Sequence, residues 1–65
     1  MNYSKDELEQ SLFQLNSMLY KIKTSNDTLT LKKPTKFKSQ ITLGERRIKA
    51  LLISIDLIQT ELSKL

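Results

Sequence analysis

Three carboxylates, Asp6, Glu7 and Glu9, crowd the start of the chain, and paired carboxylates are the commonest raw material for general acid and base work. Such work needs one of the pair desolvated in a pocket. These three fall at an exposed helix end, where solvation keeps them ordinary. The chain has no His and no Cys, so the usual nucleophile and base pairs cannot be assembled. It also lacks the imidazole and thiolate ligands of tetrahedral zinc sites, and no acidic cluster has the spacing of a calcium loop. With a single Gly there is neither a phosphate-cradling loop nor a dinucleotide fingerprint. A Ser/Lys arrangement would need a cleft-forming core that a chain this small does not supply. No catalytic residue, metal site or cofactor is expected, and the sequence does not point to an enzyme.

The remaining chemistry is that of cations. "KKPTKFK" sets Phe37 among Lys32, Lys33, Lys36 and Lys38, the makings of a single-stranded nucleic-acid contact in which a ring stacks on a base and lysines follow the backbone. Equally, the lysines could serve solubility while Phe37 folds back to plug the end of a helix pair. Arg46 and Arg47, near the start of a helix, oppose its dipole preference; residues set against a local rule are candidates for function, with a salt bridge to Glu45 or to a neighbouring subunit as the alternative. The net charge of +4 is unevenly spread: residues 1–20 carry −2, residues 21–49 carry +7 and residues 51–65 carry −1.

These groups are positioned by two helical patterns. "SKDE" at Ser4 to Glu7 is a capping box, acids follow it, and Lys21 and Lys23 suit a helix C-terminus. Between them Leu8, Leu12, Leu15, Leu19 and Ile22 alternate by four and three, the seam of a helix over about residues 4–24. Ile48, Leu51, Ile55, Ile58 and Leu62 repeat the spacing in a second helix over about 41–65. Its phase extends back through Gly44 to Ile41, so Ser39 and Thr42 compete as its N-cap. Gly44 inside a helix costs about 1 kcal/mol relative to Ala, which favours the later start or marks a close backbone approach. Residues 25–40, with Ser-Asn-Asp turn chemistry, Leu29 and Leu31 alternating with Thr, and Pro34, read as a long basic loop.

Two apolar stripes joined by one connector predict an all-α fold: an antiparallel two-helix hairpin with helices roughly 30 Å long. A domain of 65 residues buries only about 60% of the surface its unfolded chain exposes, and without disulfides or metal the remaining remedy is oligomerisation or a partner. "IKALLISIDLIQTEL" is too apolar for one helix face. Ile53 and Leu57 lie off the seam, continued by Ala50, and Phe13 and Tyr20 form a similar line on the first helix. Scattered exposed apolar residues are ordinary, but aligned ones suggest an interface, most simply a homodimer forming a four-helix bundle of coiled-coil character, or else a helix-binding partner.

The N-terminus carries neither a basic nor an apolar region of signal-peptide type, no apolar run reaches the roughly 20 residues of a bilayer span, and the lack of Cys fits a reducing cytoplasm. Lys, Ile and Asn richness points to an AT-rich genome and a small bacterial, plasmid or phage protein. The expectation is a cytoplasmic adaptor, inhibitor or regulator that binds proteins through Phe13, Tyr20, Ile53 and Leu57, with an acidic protein at the basic pole. A nucleic-acid-binding regulator using Lys32, Lys33, Lys36, Phe37, Lys38, Arg46 and Arg47 is the alternative.

Overall fold

The computed structural model describes residues 3–65. Two helices, α1 (Lys5–Lys32) and α2 (Lys38–Ser63), pack against each other as a hairpin, and the described residues contain no strand. The molecule measures 45 × 15 × 15 Å.

Helix α1 begins where the capping box places it. The Ser4 amide donates to Glu7 Oε1 at 3.0 Å and the Glu7 amide donates to Ser4 Oγ at 3.1 Å, so two otherwise orphaned donors are satisfied reciprocally. The Ser4 backbone amide, and after it the Ser4 hydroxyl, holds the Glu7 carboxyl below its ordinary range. The helix ends at Pro34, which lacks an N–H and excludes helical geometry from the residue before it. Lys33 accordingly takes φ −145° and ψ 66°.

The expected loop over 25–40 is corrected to a five-residue connector, 33–37, and Lys32 belongs to α1 instead of the loop. Side chains read as turn formers are absorbed into the helix by bonding back to it. Thr28 Oγ1 donates to the Thr24 carbonyl at 3.0 Å and Thr30 Oγ1 to the Asn26 carbonyl at 2.8 Å, which removes their competition for the backbone. The seam of Leu8 to Ile22 continues at the same spacing through Asn26, which is buried, and Leu29, which is half-buried. Leu29 and Leu31 are therefore not strand neighbours but residues on nearly opposite sides of a helix, and Leu31 is 84% exposed.

Neither Ser39 nor Thr42 caps α2. Its N-cap is Phe37, whose carbonyl accepts from the Ile41 amide at 2.9 Å without any side-chain cap, while Thr42 Oγ1 bonds back to the Lys38 carbonyl at 3.1 Å. The connector itself is held by the Phe37 amide donating to the Lys33 carbonyl at 3.2 Å. The earlier start brings Ile41 and Gly44 into the seam. With α1 running on to Lys32 and α2 starting at Lys38, both helices exceed the expected roughly 30 Å, since 28 and 26 residues at about 1.5 Å each span about 40 Å.

The core is thin. Among the described residues Leu8, Leu51 and Ile55 are the buried apolar ones, and no side chain is completely enclosed. Towards the connector the seam turns polar: Asn26, only 8% exposed, lies against Gly44. A Cβ at position 44 would fall 2.8 Å from Asn26 Cγ and closer still to Oδ1. A side chain at position 44 would have to displace the Asn26 amide, which is the close contact that the place of Gly44 in the seam suggested.

Candidate functional site

The five-residue connector gathers the cations at one end. Lys32 closes α1, Lys33 and Lys36 lie in the connector and Lys38 opens α2, all four exposed. No acid occupies the first turn of α2. Phe37 is half-buried, and Lys36 Nζ stands 5.6 Å from its ring centroid, within cation–π range. One face of the ring is thereby taken up within the chain.

Arg46 and Arg47 look out from different sides of α2. Arg47 joins Lys21, Ser25 and Asn26 in an open groove of about 480 Å³ floored by Ile22, Leu29 and Gly44. Arg46 lies in a shallower depression with Lys38, Ser39 and Thr42. The salt bridge to Glu45 is not formed. Among the described residues the ion pairs are Lys5–Glu9 at 3.9 Å and Lys64–Glu61 at 3.5 Å, and both lie at the far end with the termini. The cations of the connector end thus form no ion pair and outnumber the nearby acids Asp27 and Glu45, and the molecule is electrically polar along its length.

The four off-seam apolar residues are all exposed: Phe13 by 69%, Tyr20 by 73%, Ile53 by 53% and Leu57 by 60%. They do not share one surface. Gln14 and Lys21 line grooves between the helices, and Phe13 and Tyr20 each precede one of them by a single residue. A helical step of about 100° turns both rings away from the grooves. Ser54 also lines a groove, and Leu57, three residues on, looks out on that side. Phe13 and Tyr20 therefore form one surface, and Leu57 with its neighbours another.

Leu43 belongs to the second surface and stands outside the four expected interface residues. It is exposed and lies seven residues before Ala50 and fourteen before Leu57, a line that the helix expected over about 41–65 already contained. The groove at Lys21, Ser25 and Asn26 is hidden from the sequence, because its floor depends on α1 running past residue 24.

No cluster of three His, Cys, Asp or Glu side chains suited to a metal ion forms among the described residues. No helix among them is long and apolar enough to cross a membrane. Compared with known proteins, the chain matches no family model, no curated protein and no solved structure.

Proposed function

We propose that this chain is a small non-enzymatic interaction module, an adaptor, inhibitor or regulator of the cytoplasm, that self-associates through its exposed helix faces into a four-helix bundle and offers its basic pole to an acidic protein. The observation that carries the reading is the mismatch between core and surface. Among the described residues three apolar side chains are buried, while Phe13 and Tyr20 stand exposed along one line of α1 and Leu43, Ile53 and Leu57 along one side of α2. Aligned apolar surface of this kind is characteristic of interfaces, and the hairpin is below the size at which a single core suffices. The non-enzymatic part rests on the absence of His and Cys and on the direction of the Glu7 shift, downward, where a general acid at neutral pH needs the opposite.

Sedimentation equilibrium of the wild type beside Phe13→Glu/Tyr20→Glu and Ile53→Glu/Leu57→Glu tests it. Wild type is expected to sediment as a dimer, and at least one double variant as a folded monomer. A wild type that stays at 7.6 kDa at all concentrations refutes the reading.

The unpaired cations of the connector end favour one second reading, nucleic-acid binding. Its signature is an affinity for a single-stranded oligonucleotide that falls steeply with salt, in proportion to the phosphates neutralised. The occupied face of Phe37 weighs against base stacking there.

A further inference from the structure

On the reading that the chain self-associates, we infer that the second copy docks antiparallel along a stripe of α1 formed by Glu9, Phe13, Asn16, Tyr20 and Lys23, so that Phe13 of each copy meets Tyr20 of the other and Glu9 meets Lys23. These five residues are spaced four, three, four and three apart, which keeps them on one line of the helix, and all five are exposed. The line is distinct from the seam that binds α2. Its apolar centre, Phe13 and Tyr20, presents two aromatic rings of the kind enriched at interface cores.

The charges choose the orientation. The line continues four residues outward at each end, to Lys5, which pairs with Glu9 at 3.9 Å, and to Asp27, so the acid is the inner charge at one end and the cation the inner charge at the other, with the rings between them. A two-fold axis crossing the helix near Asn16 opposes Glu9 to Lys23 twice. An axis parallel to the helix would oppose Glu9 to Glu9 and Lys23 to Lys23. The whole molecule repeats this preference: the segment 21–49, with charge +7, is gathered towards the connector, while the segments of −2 and −1 lie towards the termini. With ends 45 Å apart and a screening length of about 10 Å at 0.1 M salt, each pole responds only to what lies beside it. Side-by-side parallel packing sets two cationic poles in contact; antiparallel packing sets each cationic pole beside an acidic one. The Tyr20 hydroxyl keeps access to water at the rim while its ring is covered.

The chain has no cysteine, so Thr35→Cys in the exposed connector supplies a single site for a spin label. Dipolar spectroscopy of the labelled protein at dimer-forming concentration is expected to give a separation near the molecular length of 45 Å. A charge exchange supplies the second arm: Glu9→Lys and Lys23→Glu are each expected to weaken the dimer by about tenfold, because each removes both exposed Glu9–Lys23 pairs, and Glu9→Lys/Lys23→Glu together to restore it. Circular dichroism checks that each variant is as helical as the wild type. A dimer with a separation near 20 Å overturns the orientation and leaves self-association standing. A long separation with no response to the charge variants overturns the stripe as the surface. A monomer overturns this inference and self-association together.

Discussion

Replacing Gly44 with Ala tests whether the hairpin has the register described. On helix propensity alone, Gly44→Ala stabilises α2 by about 1 kcal/mol. Against this, the new methyl falls 2.8 Å from Asn26 Cγ, so the amide must turn aside, and overpacking of this kind costs about 1–3 kcal/mol where the neighbour cannot give. Asn26 lines an open groove, which puts the cost at the low end of that range, so Gly44→Ala is expected to be near neutral, within about 1 kcal/mol, or about 8 °C in Tm at 4–8 °C per kcal/mol for a domain of this size. Asn26→Ala/Gly44→Ala removes the overlap and keeps the propensity gain, so the double variant is expected to be more stable than the two single effects sum to, by about 1–2 kcal/mol. Urea titration followed by circular dichroism, at one fixed protein concentration so that association does not enter, measures all four corners of the cycle. If Gly44→Ala stabilises by the full propensity term and the cycle is additive, Asn26 does not lie against Gly44 and the pairing of α1 with α2 is wrong.

Other measurements probe the helix ends and the surface. In Ser4→Ala the capping box is lost at a cost of about 1 kcal/mol, and the acid limb of stability changes with it. Because the Glu7 carboxyl is held below its ordinary value of 4.5 in the folded chain, its contribution is complete above that value and disappears as pH falls through the lowered one. The wild type should therefore lose stability more steeply than Ser4→Ala below about pH 4.5, and parallel acid limbs would contradict the cap. Amide exchange should be about tenfold or more faster over Ser25–Thr30 than over Leu12–Leu19, since Ser, Asn, Asp and Thr are weak helix formers; uniform protection along α1 would show that packing against α2 outweighs propensity there.

Much of the hairpin is legible in the sequence because its strongest signals are local. The capping box at Ser4 and the alternating seams each act within a few residues, whereas the end of α1, expected near residue 24, falls at Lys32. What is not legible is where local signals disagree. The segment Thr24–Thr30 is rich in turn formers, yet it carries Asn26 and Leu29 at seam spacing, and pairing with Ile41 and Gly44 of α2 decides the conflict in favour of helix. A polar residue in the seam breaks an apolar pattern just where the pattern is needed to recognise it. The same conflict hides the groove at Lys21 and Arg47, whose lining includes Ser25, Asn26 and Leu29. Exposure of Phe13, Tyr20, Ile53 and Leu57 follows from periodicity. Their division between two surfaces does not, because it depends on how the helices are rotated against each other.

The short tether gives the polar layer a kinetic meaning. With five residues between the helices, closing contacts near the connector costs less chain entropy than closing those near the termini, where Leu8 meets Ile58. The helices can zip from the bend outward, and among the first layers to form is the one that admits a single alignment, the amide of Asn26 against the bare backbone of Gly44. A slipped pairing is thus met with a misfit before the interchangeable leucine and isoleucine layers beyond it have closed.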